Sequence, residues 1–209
     1  MNTLPKVYLA RHGETLWSVS GQHTGMTDIP LTSDGEEGAR HLGHRLGNLR
    51  FAKIFSSPLQ RAVKTAELAG FGHDLTVDTD LLEWNYGDYE GLTTAEIQKK
   101  DPGWFIFRSG CPNGESPEEV ATRSDRMVKK IRKVHGNILI FAHAHILRML
   151  TTRWLNLAPE AGCLYFLNTA SVSILGYEHN LAEPVIRLWN DVSHLVPIIK
   201  SIEPGCQIG

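Results

Sequence analysis

The stretch Val7-Tyr8-Leu9-Ala10-Arg11-His12-Gly13 decides the fold prediction for this 209-residue chain. Apolar residues followed by two basic ones and a glycine are typical of a buried strand that ends at Arg11 and His12. In open α/β sheets, ligands bind at the carboxyl ends of the parallel strands. A guanidinium beside an imidazole is suited to bind a phosphate there while a ring nitrogen attacks the phosphorus. The stretch therefore predicts an α/β fold with a phosphate-handling site at the end of its first strand.

The rest of the chain alternates between strand-like and helix-like segments. Further strands are predicted at residues 53–56, 75–77, 138–142, 163–167, 171–177 and 185–189. Helix starts are predicted at three serines: Ser33, which precedes a glutamate by three residues, and Ser57 and Ser116, which each precede a proline. This alternation predicts a three-layer α/β/α sandwich with a mostly parallel central sheet. No linker or repeat divides the chain, so residues 1–209 are expected to form a single domain.

The composition is ordinary for a globular protein, with 42% hydrophobic residues, 21% charged residues and a formal net charge of −2. This charge argues against a nucleic-acid partner, and no apolar run approaches the roughly 20 residues that a membrane span needs. The cysteines Cys111, Cys163 and Cys206 lack metal-ligand spacing, so free thiols in a reducing compartment are expected. A cytoplasmic location is therefore predicted, since the N-terminus carries no signal architecture.

Several further motifs follow the first one in a fixed order along the chain. They are LARHGET (9–15), GQHTG (21–25), LTSDG (31–35), SSPLQRA (56–62), LEW (82–84), GDYEG (87–91), GES (114–116) and FAHAH (141–145). In this order the motifs resemble the histidine phosphatase superfamily, which includes cofactor-dependent phosphoglycerate mutases and many phosphatases. The resemblance runs from the first strand to beyond residue 170 and implies the fold of the phosphoglycerate mutases.

The resemblance implies catalytic roles for five residues. His12 is the implied nucleophile and forms a phosphohistidine, while Arg11 and Arg61 bind the phosphate. His143, which follows the predicted strand 138–142, contacts the phosphate and stabilises the transition state. Glu83 protonates the leaving oxygen and then activates water. No cofactor is implied, and no metal is expected because no Asp/His cluster has two-metal spacing.

Other residues are assigned less directly. Gln22, Thr24 and Gly25 correspond to the superfamily's loop over the phosphate and substrate. Glu90 is a rival for the acid, although its setting is typical of a turn. His145, on the helix predicted after residue 143, has either a substrate contact or a structural role. Leu82 stands where the superfamily often has arginine, which removes one expected support of the acid.

Hydrolysis is favoured over mutase chemistry. The mutases carry a longer basic insertion between the acid and the second histidine, and they usually have asparagine at the position of Ser18. Within the superfamily, the stretches 17–25, 83–91 and 104–115 resemble the sedoheptulose-1,7-bisphosphatase type of sugar phosphatase. Arg108, with Trp104, is therefore predicted to bind a distal phosphate or polyol.

The expected partner is thus a small-molecule phosphomonoester, a sugar phosphate or bisphosphate. The alternatives are phosphoglycerate mutase-type phosphoryl transfer and a non-catalytic phospholigand-binding module. The module would lack a histidine or the acid, and this chain lacks neither. The oligomeric state is left open, with a homodimer as one option.

Overall fold

The computed structural model describes residues 4–195, and strand β1 (Val7–Arg11) lies inside a six-stranded sheet. The other strands are β2 (Lys53–Ser56), β3 (Leu75–Val77), β4 (Ile138–Ala142), β5 (Val172–Tyr177) and β6 (Pro184–Asp191). Their order across the sheet is β3-β2-β4-β1-β5-β6. The first four of these are mutually parallel, whereas β5 runs antiparallel to β1 and β6 antiparallel to β5. The predicted, mostly parallel sheet is confirmed.

Helices cover both faces of this sheet. They are α1 (Leu16–Ser20), α2 (Ser33–Leu46), α3 (Gln60–Leu68), α4 (Thr94–Lys100), α5 (Ile106–Ser109), α6 (Pro117–Ile131) and α7 (Ala144–Trp154). Side chains of β1 alternate between two cores, with Val7 and Leu9 packed on the α6–α7 side and Tyr8 and Ala10 on the α2–α3 side. Because strand side chains alternate between faces, the sheet is buried on both sides. The predicted α/β/α sandwich is therefore confirmed.

The segment 163–167, predicted as a strand, is not one. Residues Pro159–Leu164 form a 3₁₀ helix, and the chain then continues without strand pairing to the start of β5. Side chains from elsewhere take its backbone acceptors: Arg11 donates to the Leu167 carbonyl and Trp189 to the Phe166 carbonyl. A strand would need those same carbonyls for pairing with a neighbouring strand. Because side chains bind them instead, the segment does not pair.

Two predicted helix starts are shifted in the structure. The cap of α2 is Thr32, whose side chain accepts from the Gly35 amide, and not Ser33. Helix α3 begins at Gln60 with Leu59 as its cap, and the Ser57 hydroxyl accepts from the Leu59 amide at 3.3 Å and lies 2.7 Å from His143 Nε2. The start of α6 is as predicted, with a reciprocal capping box between Ser116 and a glutamate.

The topology brings the two histidines of the sequence motifs together. Strands β1 and β4 are parallel neighbours with Arg11 opposite Ala142, so His12 and His143 leave the sheet side by side. Their ring centroids lie 5.1 Å apart. The site thus forms at the carboxyl edge of the sheet, where open α/β sheets bind ligands.

Within residues 4–195, no helix is both long and apolar enough to cross a membrane. Cys111 and Cys163 are not disulfide-bonded, as predicted, and Cys206 lies outside the described residues.

Candidate active site

His12 is held in one orientation by its own loop. Its amide donates to the Ala142 carbonyl at 2.9 Å, and its Nδ1 lies 2.7 Å from the Gly13 carbonyl oxygen. A carbonyl oxygen only accepts, so Nδ1 carries the ring proton and Nε2 keeps its lone pair. Burial, followed by the charges of Arg11 and Arg61, lowers the pKa of His12 well below its usual value. The ring is therefore neutral and presents a nucleophilic nitrogen to the cleft.

His143 has the same strand-end position but different partners. Arg61 donates through Nε to His143 Nδ1 at 3.1 Å, and Ser57 Oγ lies 2.7 Å from His143 Nε2. Arginine cannot accept, so Nδ1 is the unprotonated nitrogen and Nε2–H donates to the serine. Burial, then the positive charge of Arg61, lowers the pKa of His143 well below its usual value. Both ring nitrogens are engaged, so His143 can act on a phosphate only as an N–H donor.

Arg61 serves mainly as a support in this structure. It is fully buried, and four of its five N–H groups are bound by His143 and by the carbonyls of Thr24, Gly25 and Thr27. One N–H has no partner among the described residues, and Arg61 is not one of the residues that line the cleft. The sequence placed Arg61 in the first turn of its helix, which is correct, but the guanidinium fixes the loop 24–27 as well.

Arg11 has the spare donors that Arg61 lacks. Its Nη1 donates to the Leu167 carbonyl at 2.6 Å, while its buried Nε has no partner among the described residues. Burial lowers the pKa of Arg11 to about 10, against the opposing effect of Glu83. The side chain is still charged at neutral pH. An unpaired, buried N–H of a cation is costly, and an anion in the cleft would satisfy it.

Glu83 is fixed by backbone amides at the start of α7. Its Oε1 accepts from the amides of Trp84 and Ile146, each at 2.9 Å, and its Oε2 accepts from the His145 amide at 3.0 Å. It thus caps a helix whose own cap residue, His143, makes no side-chain cap bond. Oε2 accepts only one of these bonds, so it is the oxygen with room to carry a proton.

Arg123 supports the segment that carries Glu83, and sequence reasoning missed it. Its guanidinium donates to the carbonyls of Asp80, Leu82 and Glu83, and it pairs with Glu115 at 2.8 Å. The support that an arginine at position 82 would have supplied therefore comes from α6. Nothing local in the sequence signals this contact, because the two segments are about 40 residues apart.

Glu90, the rival acid, faces away from the cleft. Its Oε1 accepts from the amides of Gly25 and Thr27, at 2.8 and 3.1 Å. Gly25 also does not line the cleft, and a Cβ on it would lie 2.5 Å from the Trp84 carbonyl oxygen. Gly25 instead allows the loop to pack closely against residue 84, and its carbonyl accepts a hydrogen bond from Arg61.

Gln22 and Thr24 line the cleft. Gln22 Nε2 donates to the Gly91 carbonyl at 2.8 Å, and the Thr24 hydroxyl donates to the Gln22 carbonyl at 3.3 Å. Both side chains already have protein partners, so in this structure they shape the wall of the cleft more than they offer spare donors.

The cleft itself has a volume of about 210 Å³. It is walled by the end of β1, by residues 17–24, by Glu83 and Tyr86, by the start of α7 and by residues 166–167. A larger cavity of about 480 Å³ lies at the opposite edge of the sheet, where Val7 and Ile138 begin their strands, but no carboxylate lines it. We therefore assign the chemistry to the smaller cleft.

Arg108 does not reach the cleft, so its predicted contact with a distal phosphate finds no support in the structure. It is exposed, with its guanidinium 5.9 Å from the Phe105 ring, because α5 turns Ile106 and Phe107 into the core. Trp104 is likewise buried and donates to the Gly110 carbonyl. The second arginine that lines the cleft is Arg148, on α7.

Across residues 4–195, no three His, Cys, Asp or Glu side chains cluster closely enough to hold a metal ion.

Comparison with known proteins gives a consistent assignment. The family model described as the histidine phosphatase superfamily (branch 1) matches residues 7–192. An acid phosphatase of Mycobacterium tuberculosis is 40% identical over 185 residues, which cover 85% of this chain and 89% of that protein. A sedoheptulose 1,7-bisphosphatase of Saccharomyces cerevisiae is 30% identical, over 88% of this chain and 92% of that protein. The solved structure of the Mycobacterium tuberculosis open reading frame Rv3214 superposes with a TM-score of 0.84 at 37% identity, over 89% of this chain and 97% of that one.

Proposed function

The chain belongs to the histidine phosphatase superfamily, and we propose that it hydrolyses small sugar phosphates through a phosphohistidine formed on His12. The observation that carries the proposal is the pairing of two groups in one cleft: a neutral histidine with a free Nε2, and Arg11 with an unsatisfied N–H. The first is a nucleophile at neutral pH, and the second is a binding site for the oxygens of the group that it attacks.

The first step forms the phosphoenzyme. His12 Nε2 donates its lone pair to the phosphorus, and the bond between the phosphorus and the leaving oxygen breaks. Glu83, protonated on Oε2, transfers its proton to that oxygen as the alcohol departs. Arg11, the remaining N–H of Arg61 and the Nε2–H of His143 stabilise the charge on the phosphoryl oxygens. His143 makes this contact by exchanging Ser57 Oγ for a phosphoryl oxygen.

The second step returns the enzyme to its starting state. Glu83, now a carboxylate, takes a proton from a water molecule as that water attacks the phosphorus. The bond between phosphorus and Nε2 breaks, inorganic phosphate is released, and His12 is again neutral. The proton that Nδ1 donates to the Gly13 carbonyl stays on Nδ1 throughout, so the same tautomer of His12 serves both steps.

Hydrolysis is supported over phosphoryl transfer by what surrounds the cleft. In the described chain, no residue between Tyr86 and Ala144 lines it, although α4, α5 and α6 lie in that segment. An insertion that retains a second phosphate and excludes water from a phosphohistidine would have to reach the cleft from there. The names of both relatives, an acid phosphatase and a sedoheptulose bisphosphatase, agree with hydrolysis, and the second agrees with a sugar phosphate substrate.

The test is release of inorganic phosphate from sugar phosphates, phosphoglycerates and phosphotyrosine, with EDTA present. We expect turnover in EDTA, fastest on sugar phosphates, and label from a ³²P-substrate on the His12 peptide after a quench in base. Label on serine or aspartate, or loss of activity in EDTA that a divalent ion restores, would contradict the mechanism. Interconversion of 3- and 2-phosphoglycerate faster than any hydrolysis would instead show a mutase.

A further inference from the structure

Two polar side chains on α7 line the cleft without a part in the hydrolysis described above. His145 and Arg148 are three residues apart, so they lie on the same face of the helix. Each is only partly exposed. A cation and a ring N–H at one end of a phosphate-binding cleft are suited to bind a second anionic group.

Arg148 is held rigidly but is not neutralised. Its Nε donates to the Gly162 carbonyl at 3.0 Å, its Nη2 donates to the Cys163 carbonyl at 3.4 Å, and its guanidinium lies 4.5 Å from the centre of the Phe107 ring. Within residues 4–195 it forms no ion pair, and its Nη1 has no hydrogen-bond partner. The guanidinium of Arg148 thus lines the cleft, and its Nη1 is available to a ligand.

His145 presents an N–H donor beside it. The Tyr86 hydroxyl lies 2.6 Å from His145 Nδ1, and this is the hydroxyl's sole partner among the described residues. Burial keeps both groups uncharged, because it raises the pKa of Tyr86 well above 10 and lowers the pKa of His145 well below its usual value. With the phenol O–H as the donor to Nδ1, the ring proton lies on Nε2. That nitrogen has no protein partner in the described chain.

These two groups lie on the leaving-group side of the cleft. His145 Nδ1 is 3.9 Å from Oε2 of Glu83, the oxygen that protonates the leaving alcohol in the proposed reaction. Arg148 follows His145 by three residues on α7, so both side chains line this part of the cleft.

We propose that Arg148 and His145 form a subsite for a second anionic group, a phosphate or a carboxylate, on the alcohol that leaves. The proposal rests on the proposed function and narrows its substrate class. When Glu83 carries its proton, the charges of Arg11 and Arg61 match a phosphate dianion, and the charge of Arg148 is left for a further anion. Arg148 is the specificity-determining residue, and Tyr86 is a positioning residue that sets the tautomer of His145.

The test compares four substrates: fructose 1,6-bisphosphate, 6-phosphogluconate, fructose 6-phosphate and p-nitrophenyl phosphate. Arg148→Met should raise KM for the bisphosphate or the phosphorylated sugar acid by about 10- to 100-fold, as expected for losing a charged hydrogen bond. Its KM for p-nitrophenyl phosphate should change less than about twofold, because that substrate offers no second anion. The substrate with a second anionic group whose KM changes more, the bisphosphate or the sugar acid, shows whether the subsite prefers a phosphate or a carboxylate.

Arg108→Met is the matched control, since it removes the same charge from outside the cleft, and it should leave all four KM values unchanged. Arg148→Lys, which keeps the charge but loses the fixed fork, should restore part of the affinity. Unchanged turnover of p-nitrophenyl phosphate shows that a variant is folded. Equal changes in KM on all four substrates, or none with the bisphosphate and the sugar acid, would overturn the subsite. A wild-type enzyme that forms no phosphohistidine would overturn the proposed function instead.

Discussion

His12 and His143 follow adjacent parallel strands in equivalent positions, yet their hydrogen bonds assign them different chemistry. In His12, Nδ1 is bound by a backbone carbonyl and Nε2 is free. In His143, Nδ1 accepts from Arg61 and Nε2 faces Ser57. A nucleophile needs a free lone pair, so only His12 can attack. In the proposed reaction, two matching strand ends thus take different roles: His12, oriented by its neighbour Gly13, is the nucleophile, and His143, oriented by Arg61 and Ser57 from a distant segment, is a hydrogen-bond donor.

The difference extends to what each histidine requires from its surroundings. The peptide of Gly13 orients the His12 ring, and Gly13 itself packs against the backbone of Gly35, where a Cβ on either residue would overlap the other segment. His143 depends instead on a buried arginine that also fixes the loop 24–27. The nucleophile is held by backbone geometry, and the donor by a side-chain network.

The largest effect should come from replacing each of the two histidines in turn. His12→Asn should reduce kcat by about 10⁴-fold or more, because the covalent route is lost. His143→Asn should reduce kcat by roughly 10²- to 10³-fold, as for one donor to developing charge. Only the second variant should still form a phosphoenzyme, measured with labelled substrate and a quench in base. Label retained in His12→Asn but lost in His143→Asn would reverse the assignment.

The next largest effect should come from Glu83, and its dependence on the leaving group distinguishes its role from those of the two histidines. Glu83→Gln should slow a sugar phosphate by about 10²- to 10⁴-fold, because its alkoxide needs a proton on departure. Formation of phosphoenzyme from p-nitrophenyl phosphate should be nearly unchanged, since that leaving group is stable as an anion. Because Glu83 also caps α7, the comparison of two substrates on one preparation corrects for any loss of folded enzyme. Equal losses on both would remove Glu83 from the acid role.

Much of this site was predictable from short segments of the sequence. Apolar runs that end in histidine predicted β1, β4 and the meeting of their ends, because parallel neighbours share an edge. The resemblance of the motifs to the superfamily then implied a role for each catalytic residue. What failed depended on contacts across the chain: the helix predicted to start at Ser57 starts at Gln60, and the Ser57 hydroxyl contacts both the Leu59 amide and His143. Residues 163–167 were read as a strand, yet Arg11 and Arg148 bind carbonyls in and next to them.

Arg108 and Arg148 show the same limit of prediction from short segments. Arg108 and Arg148 both lie near aromatic residues, and only the packing of their helices decides which one reaches the cleft. A helix of four residues such as α5 has too little pattern to predict its exposed face. Arg148 follows the second histidine by five residues on a long helix, and that spacing was the signal available.

The pH dependence should expose the environment of His12. Its pKa lies well below the usual value, first because of burial and then because of Arg11 and Arg61. The ring therefore stays neutral as the pH falls through 6.5, and kcat/KM should be lost only at distinctly lower pH. Arg11→Met removes a positive charge, so the pKa of His12 should rise and the acidic limb should move to higher pH. NMR titration of the His12 ring measures this directly. A limb that moves to lower pH in the variant would contradict the sign.

The smallest effect should come from the residue that fixes the His12 loop. The Thr65 hydroxyl accepts from the Gly13 amide at 3.0 Å and donates to the Arg61 carbonyl at 2.6 Å, so it joins the supports of both histidines. Thr65→Val keeps the shape but leaves the Gly13 amide buried and unpaired, at a cost of about 1–3 kcal/mol in the free energy of unfolding. Because the carbonyl of the same residue, Gly13, orients His12, phosphoenzyme formation should slow by about tenfold, which corresponds to 1.4 kcal/mol at the transition state. Thr65→Ser keeps the hydroxyl and should restore the rate, whereas Ser57→Ala, on the His143 side, should leave the orientation of the nucleophile intact. Urea unfolding and rapid-quench measurement of the phosphoenzyme test both parts, and a Thr65→Ser variant as slow as Thr65→Val would show that packing, and not the hydrogen bond to Gly13, positions the nucleophile.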